Sequence, residues 1–145
     1  MDPGGPVFDR LLEIAVLIQE DMARELEPAG LTTARTHLLW VAHHSGPMTQ
    51  QALARALQVS ARNITGLVDA LEAGNFVRRS PHPTDRRATL VSLTEQGTRA
   101  VTEMEDQRRR IAAHLVSDFD AARLERFRAD LDAVTARLHE LMDPS

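Results

Sequence analysis

The sequence predicts a mainly α-helical fold with a small β-hairpin wing, a winged arrangement of two short helices flanked by N- and C-terminal helices. Three observations carry this. Apolar residues recur at helical spacing over most of the chain, two short helical patterns between Thr49 and Ala73 are separated by almost nothing, and two β-type runs flank a proline-containing loop at 81–88. The 145 residues are 43% hydrophobic and 26% charged, enough for one ordinary domain with a buried core. Collagen-like, disulfide-rich and disordered classes are excluded by the same composition.

In the first helix Phe8, Leu11, Leu12, Ala15, Ile18, Met22 and Leu26 form the main stripe, while Ile14, Val16 and Leu17 add apolar residues on other faces. A stripe that wide predicts burial on two sides. Pro28 and Gly30 break this helix, Thr32 or Thr33 caps a second one running to about His44, and Gly46-Pro47 ends it. Thr49 then caps a helix whose inward face is Ala52, Leu53 and Ala56. Leu57, Gln58 and Val59 form a turn, Ser60 caps the next helix, and Ile64, Leu67, Val68 and Leu71 make its buried stripe. Gly74 stands where a left-handed residue closes such a helix.

Phe76 to Ser80 and Thr89 to Leu93 read as the two strands of the wing. Thr94 caps a long helix to about Phe119, with Val101, Met104, Ile111 and Leu115 in register. In the last helix Leu124, Phe127, Leu131, Val134, Leu138 and Leu141 alternate steps of three and four, a heptad seam that predicts a partner helix, either in a second chain or in this chain's own first helix. The resulting division is 1–46 for N-terminal helices, 47–93 for a helix-turn-helix and wing, and 94–145 for C-terminal helices, within one compact domain.

The net charge is −4 and every basic residue other than histidine is Arg. The charge is uneven: 47–93 holds six arginines (55, 62, 78, 79, 86, 87) against three acids (69, 72, 85), so an acidic scaffold carries a basic middle. Scattered surface charge is the plainer reading of that imbalance, but the arrangement of the polar residues favours a polyanion-facing module. With Ile64, Leu67, Val68 and Leu71 inward, the outer face of the second short helix presents Arg62, Asn63, Thr65, Gly66 and Asp69. Arg and Asn make bidentate contacts to guanine and adenine edges, Thr reaches a hydroxyl or methyl contact, and Gly66 permits close approach. Ser60 and the free N–H groups of the first turn suit a phosphate, and one helix earlier Thr49, with Gln50 and Gln51 as further phosphate or base contacts, joins the DNA-facing set.

His82, Asp85, Arg86 and Arg87 form the wing tip, where an arginine can enter a minor groove and Asp85 can hold one guanidinium in place. Arg79 on the first strand belongs to the same basic surface, and a pair between Arg79 and Asp69 predicts a fastening of wing to helix. The alternative for the loop is a merely polar hairpin end.

His37, Trp40 and His44 share one face of the second helix, which suits a small aromatic or anionic effector as well as it suits an ordinary half-buried face. His43 and His114 add imidazoles, but the spacing matches no recognised ligand set, and neither metal nor cofactor is expected. Arg108, Arg109 and Arg110 read as a solvated face paired with Glu103, Glu105 and Asp106.

No Gly-rich phosphate loop, His-Glu-x-x-His or Gly-x-Ser-x-Gly is present, which argues against an enzyme. The absence of cysteine removes thiol chemistry and disulfides. The longest apolar run, Ile14 to Ile18, is too short for a membrane span, and the N-terminus is not a basic leader, so a cytoplasmic protein is expected.

Met48 to Arg79, followed by Pro83 to Gly97, resembles the MarR family of winged helix-turn-helix transcriptional regulators. Asp85 and Arg87, running into Leu93-Thr94 and Gly97, are the most family-specific part, and the number and length of flanking helices extend the resemblance over nearly the whole chain. It implies a homodimer built from the first and last two helices, binding double-stranded DNA at a pseudo-palindromic operator as a repressor, with a cleft where small, often phenolic, anions act as effectors. Gln58 departs from the glycine common at that turn, and the lack of cysteine places the chain outside the thiol-sensing branches. Two other functions compete: a winged-helix protein-interaction module, and a small-molecule or metal carrier supported by the histidines alone.

Overall fold

The computed structural model describes residues 2–143. Among them the chain forms α1 (Gly5–Leu26), a 3-10 turn at Glu27–Ala29, α2 (Thr33–Ser45), β1 (Met48–Thr49), α3 (Gln50–Leu57), α4 (Ala61–Ala73), β2 (Val77–Pro81), β3 (Thr89–Leu93), α5 (Glu95–Leu115) and α6 (Ala121–Met142). Two compact units result, one up to Glu103 and one from Met104 onward.

Side-chain caps set most helix starts. Thr32 accepts from the Arg35 amide at 3.2 Å, Thr49 from Ala52 at 3.0 Å, Ser60 from Asn63 at 3.1 Å and Asp120 from Arg123 at 2.7 Å, each satisfying an N–H that the helix itself leaves without a partner. The core of the first unit is Leu38 and Leu39 of α2, Leu53 of α3, Ile64, Val68 and Leu71 of α4, Val77 and Val91 of the sheet and Val101 of α5, all fully buried. On α3 the inward residues are Leu53 and Ala54, with Ala52 half-buried, whereas Ala56 is exposed, so the expected Ala52, Leu53, Ala56 face holds at Leu53 and fails at Ala56. An eight-residue helix carries too few apolar positions to define its phase.

The sheet has three strands in the order β1-β3-β2, one more than the hairpin read from sequence. β1 is only two residues long and pairs antiparallel with β3, Met48 opposite Val91 and Thr49 opposite Leu90, which ties the start of α3 to the wing. β2 and β3 pair from Val77 opposite Leu93 to Pro81 opposite Thr89. Pro81 is tolerated because β2 is an edge strand.

Two turns depend on positive φ at non-glycine residues. Gln58, at φ 56°, ends α3: its amide donates to Arg55 and that of Val59 donates to Ala54 at 3.0 Å, so the turn closes without the expected glycine. At the end of α4 the left-handed residue is Asn75 (φ 65°), and Gly74 stays at φ −81°, contrary to the sequence assignment. Phe76 N–H closes the turn on Leu71 at 2.8 Å, and Gly74 is small for a different reason: a Cβ there would lie 3.0 Å from the Phe76 ring.

Thr94 caps α5 by accepting from the Gly97 amide at 3.0 Å while its hydroxyl donates back to Asn75 at 2.6 Å. Gly97 is buried where a Cβ would fall 2.1 Å from the Phe76 carbonyl oxygen. α5 stops at Leu115, short of the expected Phe119, whose ring instead packs edge-on against Phe127 at 5.5 Å under the Arg123 guanidinium.

The terminal helices differ from expectation in burial. Within one chain eight large apolar residues of α1 are 43% to 57% exposed, Leu11 is half-buried and only Leu26 is buried, so the predicted two-sided burial is not met by the protomer itself. No residue of α6 is buried among those described, and Leu124, Phe127, Leu131 and Leu138 of the heptad seam remain about two-fifths exposed. No helix of the described residues is long and apolar enough to cross a membrane.

Candidate nucleic-acid interface

α4 turns Ile64, Val68 and Leu71 into the core and leaves Ala61, Arg62, Asn63, Thr65, Gly66 and Asp69 on the surface. Open space surrounds the Cβ position of Gly66, so packing within the protomer does not require glycine there. Ser60 spends its hydroxyl oxygen on the Asn63 amide, and the N–H groups of Ala61 and Arg62 lie in the first turn, where a helix supplies no acceptor.

The wing is fastened to this helix through one arginine. The Arg79 guanidinium lies 2.7 Å from the Asp69 carboxylate and 3.1 Å from that of Glu72, and the Arg79 amide donates to the second Glu72 oxygen at 3.0 Å. Its Nε donates to Gln50 Oε1 at 3.3 Å, and the nitrogen that faces Asp69 also reaches the Thr65 carbonyl at 3.5 Å. Gln50 continues the chain of bonds, its Nε2 donating to Thr65 Oγ1 at 2.9 Å while that hydroxyl donates to the Ala61 carbonyl. α3, α4 and β2 are thereby joined by bonds whose geometry several partners over-determine, which makes the cluster worth more than an isolated surface pair of about 0–1 kcal/mol.

The structure thus has the expected Asp69–Arg79 pair, and adds Glu72, Gln50 and Thr65 to it. Asp69 and Glu72 stand three apart on one edge of α4, and that spacing was the available signal for Glu72. Gln50, Thr65 and Arg79, singled out from sequence as candidate DNA contacts, are engaged with each other here.

At the wing tip Arg86 and Arg87 are exposed. Asp85 does not hold a guanidinium: its Oδ1 accepts from the Arg87 backbone amide at 3.0 Å, because in a tight turn the amide two residues on is the nearest donor. His82 accepts from the turn in the same way, taking the Asp85 amide at 3.0 Å. A recess of about 380 Å³ opens between the wing and the start of α3, lined by Thr49, Gln50, Gln51, Asp85, Arg87, Ala88 and Thr89. The recess brings Arg87 near the first turn of α3, and Thr49 caps that turn.

Of the aromatic face of α2, Trp40 and His44 are brought together with ring centroids 4.4 Å apart, and His43 meets His44 edge-on at 5.2 Å. His37 lies on an exposed turn nearer the start of the helix. Among the described residues no group of three or more His, Asp or Glu is placed to hold a metal. In unit two Arg109 pairs with Asp106 one turn away.

Comparison with known proteins agrees with this fold. Residues 31–89 match the model of the MarR family. YwoH of Bacillus subtilis, described as an uncharacterised HTH-type transcriptional regulator, is 30% identical over 78% of this chain and 82% of its own. BadR of Rhodopseudomonas palustris, a transcriptional activatory protein, is 33% identical over 67% of this chain, a match that spans 57% of BadR. The MepR–DNA complex of Staphylococcus aureus superposes with a TM-score of 0.71 at 24% identity, covering 89% of this chain and 96% of MepR, and shows the shared fold. The chain belongs to the MarR family.

Proposed function

We propose that this protein is a sequence-specific, DNA-binding transcriptional regulator that acts as a homodimer on a pseudo-palindromic site. The observation that carries the reading is the exposed polar face of α4, with Arg62 and Asn63 at its N-terminal end, on a helix whose opposite face is locked in the core and whose flank is bonded to an arginine-tipped wing. A helix held this rigidly can present bidentate donors to base edges without a large ordering cost. Arg62 and Asn63 read bases, with Thr65 and Gly66 alongside. Thr49, Gln51, Ser60 and the α4 N-terminus meet phosphates. Gln50, Asp69 and Arg79 orient the reading surface, and His82, Asp85, Arg86 and Arg87 serve the wing. MepR, of the same fold, has been captured on DNA.

The exposed apolar residues of α1 and α6 supply dimerisation surfaces, so that 1–46 and 94–145 join two copies of the 47–93 lobe. Occupancy of an operator by such a dimer blocks transcription, and a small aromatic or anionic effector at the Trp40–His44 face releases it. The protein works on cytoplasmic DNA and is not an enzyme. Unbiased selection of bound duplexes by the purified protein tests the central claim: inverted half-sites centred about 34 Å apart are expected. Recovery of unrelated sequences only would sink it. Transcription from the selected site, measured with and without the protein, gives the sign of regulation. Quenching of Trp40 fluorescence by salicylate-like anions tests the effector face.

A further inference from the structure

His82 stands at the base of the wing tip, half-buried between the end of β2 and the turn that carries Arg86 and Arg87. Its Nδ1 accepts two backbone hydrogen bonds, from Thr84 at 3.2 Å and Asp85 at 3.0 Å, with the Thr84 hydroxyl 3.4 Å away. Pro83 offers no N–H, so these are the first two donors the chain provides after the histidine. A second brace follows at once, because Asp85 Oδ1 accepts from the Arg87 amide, and Ala88 N–H closes onto the Asp85 carbonyl at 3.1 Å while His82 N–H closes onto Ala88 at 3.2 Å. The arginine pair is therefore mounted on a turn in which the His82 ring replaces the acceptor that an Asn or Asp side chain ordinarily supplies.

Accepting two N–H groups at Nδ1 requires that nitrogen to be unprotonated, which leaves the neutral ring's proton on Nε2. An imidazolium carries N–H at both nitrogens and would point a donor at two donors. We infer that the neutral His82 imidazole is a positioning residue for Arg86 and Arg87, and that its protonation loosens the wing tip and weakens DNA binding in mild acid. The sign is opposite to what an added positive charge near phosphate would produce. The ionisable groups of the turn itself are Asp85, Arg86 and Arg87; Ser80, Pro81, Ala88 and Thr89 on the adjoining strand ends, and Thr49, Gln50 and Gln51 across the recess, carry none. The consequence for DNA rests on the regulator reading above, whereas the brace is a property of the wing alone.

Two measurements on the full-length protein separate them. Imidazole ¹⁵N shifts, which distinguish ring tautomers, should show His82 as the Nε2–H form at pH 8, with the Thr84, Asp85 and Arg87 amide resonances moving together as pH falls to 5.5. An Nδ1–H tautomer, or wing amides indifferent to the His82 titration, overturns the brace. Affinity for the selected duplex, measured at physiological salt, should fall about fivefold more between pH 8 and 5.5 in the wild type than in His82→Asn, whose amide oxygen can accept in either condition. His82→Leu should be weakened at both pH values, and His82→Asn should recover most of that loss. Wild-type affinity that is flat or rises in acid relative to His82→Asn overturns the inference while leaving the regulator reading intact. Failure to bind any duplex at either pH, with the tautomer as expected, overturns the regulator reading and leaves the brace standing.

Discussion

The lobe, taken as 47–93 with the α2 helix that packs on it, and the two terminal helices treat apolar residues in opposite ways. In the lobe Leu38, Leu39, Leu53, Ile64, Val68, Leu71, Val77 and Val91 are buried to 1% exposure or less, and the polar surface residues are bonded to one another around Arg79. In α1 and α6, Phe8, Leu12, Leu17, Leu131 and Leu138 stay between 39% and 56% exposed. One chain is enough to complete the lobe, and it is not enough to complete the helices at its ends. Patches of this size on a helix stabilise a fold only when something covers them, since most helical stability in proteins comes from packing an apolar face. A second copy, presenting the same patches, is the occupant that the proposed operator symmetry requires.

The largest expected effect comes from attacking the incomplete region. Replacing Leu131 and Leu138 by Glu should leave a folded lobe but convert a dimer to monomer by sedimentation, and lower operator affinity about 100-fold or more through loss of the second half-site. A dimer that survives both changes would remove α6 from the interface. Next, Gly97→Ala should destabilise the complete region by about 2 kcal/mol or more, because its Cβ would meet the Phe76 backbone oxygen, which cannot swing aside as a side chain could. Chemical denaturation measures this, and an unchanged midpoint would mean that α5 shifts freely at that contact.

Arg62→Ala or Asn63→Ala should cost about 1–3 kcal/mol on the selected duplex and much less on random DNA, with relaxed preference at one base position. Equal losses on both duplexes would show that these residues touch only backbone. Smaller still, Arg87→Ala should weaken binding uniformly across sequences and reduce the slope of log affinity against log salt by about one. An unchanged slope would place Arg87 away from phosphate.

Much of the lobe was legible in the sequence because its signals are local. Threonine and serine caps at 32, 49 and 60 act within three residues of themselves, and the stripe Ile64, Val68, Leu71 identifies the buried face of α4. Legibility failed where a partner distant in sequence decides. β1 exists only because Met48 and Thr49 lie beside Leu90 and Val91, and two residues carry no period to read. Gln50 looked like a surface amide available to DNA until Arg79 and Thr65 were found at its two ends. Gly74 looked like a left-handed cap, whereas the approach of the Phe76 ring explains the small residue and Asn75 takes the strained conformation.

The sequence by itself determined the order of the six helices and the two wing strands, the N-caps at Thr49, Ser60 and Thr94, the basic middle and the outward face of α4, since each follows from spacing along the chain. Only the tertiary structure decided that Arg79 serves two carboxylates and an amide at once, that Met48 and Thr49 pair with Val91 and Leu90 as a third strand, and that α1 and α6 remain uncovered in one chain. The physical reason is common to all three. Hydrogen-bond partners and burial depend on which surfaces meet in space, and residue periodicity says which side of an element is apolar without saying what comes to lie against it.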